Sequence, residues 1–399
     1  MFGCQAGRVR GRTRAEKKGL NHHWWQYLLL IGVILFGYGN EQKLTGEAGT
    51  MNWGVKVADS IMARWPDPLT LTNKGWEYTN GIILHGIERI YKKTGDKRYF
   101  NYIKEWVDHY IETETWRTEN LDHIQPGILL LFLYEETGDE KYRKVAADHW
   151  ASFANRPRNA EGGFWHKTTY PEQMWADGIY MAGPFLVKYG HLFGEQAPVD
   201  EAIKQTTLIA SKILNEETGL LYHGWDYSRR AAWADPVTGL APEVWCRGMA
   251  WYAMALVDML NYLPESHPGY EQLLTLLRKI AVGIKNTQDP ATGLWYQVMD
   301  KGDYPGNWIE TSGSGMFIYA LGRAVQKGYL DQSYWATAVK GWEGLQQKIT
   351  VDADGQLSIH GTVEGMGIQV SVDKYLDKRR ITNYPHGYCG VLMAASVME

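Results

Sequence analysis

Apolar and polar residues from Asn52 onward follow two patterns that alternate along the chain. In the first pattern, apolar residues recur on one helical face and charges occupy the other, at about 52–64, 98–114, 140–154, 199–214, 269–287 and 331–349. In the second, apolar and small residues surround the segment, at about 79–92, 123–135, 177–190, 247–262, 312–326 and 387–398. Amphipathic helices cover a core, whereas helices that are apolar all round lie inside one. Six outer and six inner helices in strict alternation predict an all-α fold, an (α/α)6 barrel.

The connections between these segments repeat as well. Gly95 and Gly138 each follow an inner segment, where a glycine is the expected helix stop. Longer, aromatic-rich loops such as 163–166 and 293–296 follow outer segments. Short turns are therefore expected at one end of the barrel. The long loops are expected at the other end, beside the N-termini of the inner helices, where function usually lies.

A solenoid of helix hairpins is the architectural alternative. Tetratricopeptide repeats run near 34 residues, whereas the inner segments here begin farther apart and the spacing grows in one set of loops. A closed barrel with elaborated loops explains that growth better. No glycine-rich phosphate loop follows a strand, which argues against the common nucleotide-binding folds.

The first 45 residues differ from the rest. Residues 1–22 carry six Arg and Lys side chains, and the run 24–39 that follows is apolar but shorter than a bilayer span. A basic stretch before a short apolar run is typical of a signal peptide, and an uncleaved anchor is the alternative. We therefore expect a leader over 1–45, a single catalytic barrel over 46–399, and a periplasmic, secreted or membrane-anchored protein.

Composition adds two constraints. The net charge is −4, with 41 basic and 45 acidic residues, so no basic field indicates a nucleic-acid partner. The chain has 18 Trp and 25 Tyr beside 9 Phe. Rings with a polar handle suit flat, hydroxyl-rich ligands as well as cores. Three cysteines without a CxxC pair argue against a disulfide scaffold and against a structural zinc site.

Each predicted inner helix begins with a polar residue, and two of these residues are aspartates. Asp122 and Asp177 begin neighbouring inner segments, so they are expected to face one pocket. Paired carboxylates are the usual equipment for glycosidic chemistry. The alternative is that such residues cap their helices. If the two aspartates form a catalytic pair, one of the two carboxyl groups must hold a proton. Asp177, beside Trp175, is the better candidate for a raised pKa.

Other residues at the N-terminal end of the inner helices suggest an anionic ligand. Arg247 and Lys167 add positive charge to that of the helix ends, and His223 lies on a long loop. A structural ion pair for Arg247 and a packed loop position for His223 are the alternatives. His166, His223 and His386 lack the spacing of a zinc motif, so neither a metal nor another cofactor is expected.

Taken in order, several motifs of the chain resemble unsaturated rhamnogalacturonyl hydrolases of glycoside hydrolase family 105. The resemblance spans about residues 52 to 398, and its motifs are Phe164-Trp165-His166-Lys167, Met174-Trp175-Ala176-Asp177-Gly178, Tyr222-His223-Gly224-Trp225-Asp226, Trp245-Cys246-Arg247-Gly248, Glu310-Thr311-Ser312-Gly313 and Pro385-His386-Gly387.

The resemblance implies an (α/α)6 barrel that removes a 4,5-unsaturated uronic acid from the non-reducing end of fragments left by polysaccharide lyases. It implies hydration of an enol ether, with Asp177 as general acid and base and Asp122 as the second carboxylate. The substrate-binding residues that we infer are Tyr78, Lys167, Trp175, His223, Trp245 and Arg247. Cys246 and Met249 depart from the family pattern, so rhamnogalacturonan-type and ulvan-type fragments both stay open.

Two rival hypotheses use the same barrel. A conventional glycosidase or a sugar epimerase would act on saturated sugars. A non-catalytic glycan-binding protein would need the aromatic loops but neither Asp122 nor Asp177.

Overall fold

The computed structural model describes residues 52–353 and 355–399, so the expected leader over 1–45 lies outside the described residues. Residues from Asn52 to the end form one compact unit. In chain order the helices are α1 (Trp53–Arg64), α2 (Tyr78–Thr94), α3 (Lys97–Glu112), α4 (Leu121–Ile124), α5 (Gly127–Thr137), α6 (Glu140–Ala151), α7 (Asp177–Phe193), α8 (Gln196–Ile213), α9 (Cys246–Leu260), α10 (Tyr270–Asn286), α11 (Thr311–Gln326), α12 (Ser333–Gln346), α13 (Val372–Leu376) and α14 (Pro385–Met398). Two 3-10 turns cover Pro68–Thr70 and Ser152–Asn155.

Six of these helices form a closed inner ring, which confirms the (α/α)6 barrel. The contacts run from α2 to α5, α7, α9, α11 and α14, and α14 returns to α2. The outer helices α1, α3, α6, α8, α10 and α12 each pack on one or more members of this ring. The first outer helix packs on the last inner one, and the Glu399 carboxylate accepts hydrogen bonds from the backbone N–H groups of Trp53 and Gly54 at 2.7 and 3.1 Å.

Burial along the helices follows the two sequence patterns. Every residue of α9 is buried, whereas α3 buries a single stripe that includes Tyr99, Ile103 and Trp106. Small residues let the inner helices approach closely. A Cβ added at Gly315 of α11 would lie 2.5 Å from the carbonyl oxygen of Gly390 on α14. The ring is thus closed by backbone contact at this crossing.

One inner helix is shorter than the pattern predicted. The segment 123–135 was expected to be continuous, but the structure divides it into α4 and α5 at Gln125 and Pro126. Proline has no backbone N–H, so it cannot donate to the carbonyl of Asp122 four residues earlier, and its ring crowds that carbonyl. The break leaves Asp122 in a separate single turn of helix at the mouth of the barrel.

The connections divide between the two ends as expected. Gly95 and Gly138 end α2 and α5 with left-handed φ angles of 71° and 68°, a conformation that glycine adopts without strain. Within the described residues, the longer loops contain four two-stranded sheets that the sequence pattern did not reveal. Their strands are β1 (Gln173–Trp175) with β4 (Gly224–Asp226), β2 (Leu214–Asn215) with β3 (Leu220–Leu221), β5 (Ile349–Val351) with β6 (Leu357–Ile359), and β7 (Thr362–Val363) with β8 (Arg380–Ile381).

The antiparallel sheet of β1 and β4 matters most for the site. Trp175 pairs with Gly224, and the backbone N–H of Ala176 donates to the carbonyl of His223 at 3.0 Å. These contacts fix the loop before α7 against the loop that precedes α9. Asp177, which follows β1, and His223, which precedes β4, are therefore held side by side.

Across residues 52–353 and 355–399, none of the helices combines the length and the apolar character that crossing a membrane requires.

The close crossing of α11 and α14 gives a test of the fold. We expect Gly315→Ala to lower the free energy of unfolding by about 1–3 kcal/mol, because the added methyl group overpacks rigid backbone. Gly322→Ala on the same helix is the matched control, since its Cβ would meet side-chain atoms of Val397 and Met398 at 3.1 and 3.5 Å. Chemical denaturation measures both. Equal stability of the two variants would contradict the argument.

Candidate active site

A cavity of about 260 Å³ opens at the N-terminal end of the inner helices. Its wall contains seven of the eight residues inferred from the sequence, which are Tyr78, Asp122, Lys167, Trp175, Asp177, Trp245 and Arg247. The eighth, His223, is fully buried directly behind Asp177. The two aspartates thus lie on one cavity wall, as the alternation of helices predicted.

Neither aspartate caps its helix. Asn120 is the N-cap of α4, and its side chain accepts from the backbone N–H of His123, so Asp122 lies within the first turn. Ala176 is the N-cap of α7, and Asp177 is the first residue of that helix. The capping alternative therefore does not account for these two carboxylates. It does account for Glu310, whose carboxylate accepts from the backbone N–H groups of Ser312 and Gly313.

The carboxylate of Asp122 is held by positive and polar neighbours. Lys167 forms a short ion pair with Oδ2 of Asp122, and Nε2 of His166 lies 3.5 Å from Oδ1. Burial lowers the pKa of Lys167, but the charge of Asp122 and its hydrogen bond to Lys167, together with the charges of Tyr170 and Glu77, outweigh burial and raise the pKa. Lys167 is therefore a firmly protonated partner of Asp122.

The carboxylate of Asp177 lies against a histidine rather than in purely apolar surroundings. Oδ2 of Asp177 is 3.4 Å from Nε2 of His223. Burial raises the pKa of Asp177, but the hydrogen-bonding and charge interactions with His223 and the charge of His166 outweigh burial and lower it. The raised pKa expected from the sequence is therefore wrong in this structure. The reason is that the sheet of β1 and β4 brings His223 behind Asp177.

Trp175 organises the wall between the two aspartates. The ring of His166 stacks on Trp175 with centroids 4.4 Å apart, and Tyr170 stacks on it at 4.7 Å. Burial lowers the pKa of His166, and the charges of Asp122 and Asp177 oppose this without reversing it. Trp175 therefore lines the cavity and also positions the histidine that lies beside Asp122.

Arg247 is anchored in the protein by its terminal nitrogens. One donates to the carbonyl of Val363 at 2.8 Å and the other to the carbonyl of Glu364 at 2.7 Å. Oε1 of Glu310 is 3.8 Å from the guanidinium, and Trp245 packs under it with 4.7 Å from Cζ to the ring centroid. The ion-pair alternative is thus partly realised, while Nε of Arg247 is buried without a hydrogen-bond partner in the described part of the chain.

The hydrogen bonds of Arg247 position a loop that forms part of the cavity wall. Gly365, Met366 and Gly367 follow the two carbonyls that Arg247 binds, and they line the cavity. The backbone N–H of Gly365 donates to the hydroxyl of Tyr384 at 2.9 Å. No periodicity or charge pattern in the sequence singles out this segment, because its position depends on contacts with distant residues.

Further lining residues were not among the inferred site residues. His386 lies 3.1 Å from the hydroxyl of Tyr78, and burial holds the pKa of His386 well below its usual value. The position of His386 at the start of an inner helix is a sequence signal that could have identified it as a site residue, and the same holds for Glu77. The remaining additions are Lys74, His166, Tyr170, Met181 and Trp251.

The charges of the cavity are balanced rather than positive. Its wall carries three basic side chains, Lys74, Lys167 and Arg247, and three acidic ones, Glu77, Asp122 and Asp177. The inner-helix N-termini add partial positive charge at the same end. Carboxylates thus offset the positive charge predicted from Lys167 and Arg247, and the attraction for an anion rests on the backbone dipoles and on the exposed Lys74.

Two further observations concern residues that are not part of the cavity wall and groups that could bind a metal. Cys246 and Met249, which depart from the family pattern, are fully buried and are not part of the cavity wall. Within residues 52–353 and 355–399, no group of three or more His, Cys, Asp or Glu side chains is placed to hold a metal ion.

Comparison with known proteins gives the family. The sequence profile of Glycosyl Hydrolase Family 88 matches residues 53–399. Protein Atu3128 of Agrobacterium fabrum is 36% identical over 194 residues, which are 47% of this chain and 82% of that protein. The unsaturated rhamnogalacturonyl hydrolase YesR of Bacillus subtilis is 27% identical over 252 residues, covering 62% of this chain and 70% of the relative.

A solved structure agrees with these relatives. A family 105 glycoside hydrolase of C. acetobutylicum ATCC 824 superimposes with a TM-score of 0.81 at 34% identity, over 86% of this chain and 98% of the other. The profile match extends over the whole described barrel, including every residue of the cavity wall. The chain therefore belongs to Glycosyl Hydrolase Family 88 and is an enzyme of the glycoside hydrolase class.

Proposed function

We propose that this enzyme releases a 4,5-unsaturated uronic acid from the non-reducing end of lyase-generated oligosaccharides. The observation that carries the proposal is the placement of Asp122 and Asp177 on one cavity wall, in first helical turns that other residues cap. The name of the Bacillus subtilis relative, an unsaturated rhamnogalacturonyl hydrolase, supports the same substrate class. A conventional glycosidase or an epimerase is the less favoured alternative.

The proposed reaction adds one water across a carbon–carbon double bond. Asp177 gives its proton to C4 of the sugar, and the positive charge that develops is shared between C5 and the ring oxygen. The Asp177 carboxylate then accepts a proton from water as the water oxygen bonds to C5. The resulting hemiketal opens, and loss of the aglycone leaves a keto-uronate. Asp177 ends the cycle protonated, so no other acid or base is consumed.

Recognition of the uronate relies on positive charge that the protein already presents at the cavity. The sugar carboxylate is attracted to the inner-helix N-termini and to the exposed Lys74 at the cavity. Arg247 shapes the wall through its hydrogen bonds to the carbonyls of Val363 and Glu364. Lys167 forms an ion pair with the Asp122 carboxylate on the same wall.

Asp177→Asn tests the proposed acid. We expect kcat to fall by about 10²–10⁴-fold, because an amide cannot give a proton to C4. The measurement is the loss of ultraviolet absorbance of the double bond in a lyase digest. Asp300→Asn, which changes an exposed aspartate, is the matched control and should keep full activity. Turnover by a folded Asp177→Asn protein at the wild-type rate would end the proposal.

The pH dependence follows from the lowered pKa of Asp177. Because that carboxyl is ionised at neutral pH, its acid form becomes scarcer as pH rises, by up to about tenfold per unit. We expect kcat/KM to increase as the pH is lowered from about 7 to about 5. Thermal unfolding at each pH shows whether the protein stays folded across the range. An increase of kcat/KM with rising pH would contradict the assigned role.

A substrate panel separates the proposed activity from its rivals. We expect hydrolysis of unsaturated disaccharides in which rhamnose follows the uronic acid, from rhamnogalacturonan or ulvan lyases. Slower turnover is expected for glycosaminoglycan-derived disaccharides, and none for the saturated counterparts. Comparing the turnover of the rhamnogalacturonan and ulvan disaccharides shows which polysaccharide supplies the substrate. Cleavage or epimerisation of a saturated sugar would favour the alternative instead.

A further inference from the structure

Asp177 and His223 face each other through two buried polar atoms. His223 is fully buried, and its Nε2 faces Oδ2 of Asp177 at 3.4 Å. Neither of these atoms has a hydrogen-bond partner elsewhere in the described part of the chain. A buried imidazole N–H or lone pair without a partner is costly, so the tautomer of His223 decides whether this contact is favourable.

The other ring nitrogen of His223 meets a tyrosine. Nδ1 lies 2.7 Å from the hydroxyl of Tyr375, a fully buried residue of the short helix α13. Burial raises the pKa of Tyr375 well above its usual value, while a backbone hydrogen bond with Gln369 opposes this. A carboxylate only accepts hydrogen bonds, so the contact of Nε2 with Oδ2 of Asp177 is favourable when Nε2 carries the proton, which leaves Nδ1 as an acceptor. The hydroxyl of Tyr375, at 2.7 Å, is then the donor to Nδ1.

We propose that Tyr375 is a positioning residue for the hydration reaction: its hydroxyl donates to Nδ1 of His223 and thereby places the Nε2 proton against Oδ2 of Asp177. The inference rests on the proposed function for its catalytic consequence. The hydrogen-bond direction itself is a property of the protein alone.

The surroundings of His223 keep this arrangement in place. Trp245 packs on the imidazole with centroids 4.4 Å apart, and Trp175 approaches it edge-on at 5.8 Å. The backbone N–H of His223 donates to the carbonyl of Glu243, and the side chain of Glu243 forms a short ion pair with Lys301. His166 also acts on the charges of both Asp177 and His223, and the charges of Asp177 and Glu243 act on Tyr375.

Fixing this tautomer has a direct consequence for Asp177. An Nε2 proton stabilises the carboxylate, which readies it to accept the proton of the attacking water. The opposite tautomer would present a lone pair to the carboxylate and favour the protonated acid. Tyr375 would therefore set the balance between the acid and base forms of Asp177 without contacting the substrate.

The first experiment measures the tautomer in substrate-free protein. Nitrogen-15 NMR of histidine-labelled enzyme distinguishes protonated from bare ring nitrogens, and the missing signals of a His223→Gln variant assign the resonances. We expect Nε2 of His223 to carry the proton and Nδ1 to be bare at neutral pH. A proton on Nδ1 would overturn the inference. The result does not depend on any substrate, so it is independent of the proposed function.

The second experiment uses Tyr375→Phe. Loss of the donor allows the other tautomer and raises the pKa of Asp177, so the alkaline limb of the kcat–pH profile should move up by about one pH unit. KM should change less than about twofold, because Tyr375 is not part of the cavity wall. An unchanged profile would overturn the positioning role.

Tyr304→Phe is the matched control for a merely structural effect. The hydroxyl of Tyr304 donates to Asp373 at 2.8 Å, so it also holds α13 but does not contact His223. We expect its kcat–pH profile to match that of the wild type. The same shift in both variants would mean that loosening α13 is the cause, and the proposed hydrogen bond would be rejected.

Discussion

Close packing of the six inner helices into a closed ring is the constraint on which the site depends. The ring closes where α14 returns to α2, and Gly315 and Gly390 allow backbone contact between α11 and α14. Once the ring is closed, the inner-helix N-termini surround one opening. Side chains in the first turns, such as Asp122 and Asp177, are then held by rigid helices rather than by loops.

A second layer of buried polar contacts turns this geometry into a defined site. Glu310 caps α11 and also accepts from the backbone N–H of Val363, whose carbonyl binds Arg247. Trp245 packs against both Arg247 and His223. One continuous set of contacts therefore links the loop at 365–367 with the histidine behind Asp177. A change at any of these positions is expected to alter the surroundings of Asp177.

The sequence predicted the repeating part of the fold and failed where distant residues meet. Helix positions followed from periodicity, and the two aspartates followed from their place before inner segments. The break at Pro126 was missed although proline is its local cause. The pKa direction of Asp177 was wrong because it depends on His223, which reaches it through the pairing of β1 with β4. Periodicity within a helix carries no information about such loop pairing.

A lowered pKa for Asp177 is compatible with an acid role when the substrate's own charge is considered. In the proposed reaction the uronate brings a negative charge close to Asp177, and a like charge raises a carboxyl pKa. The cavity's three acidic and three basic side chains are balanced, so one added carboxylate tips the local field toward protonation. His223 opposes this shift by stabilising the carboxylate. Substrate binding and the His223 contact thus act on the pKa of Asp177 in opposite directions, which suits the proposed role of giving a proton and then taking one back.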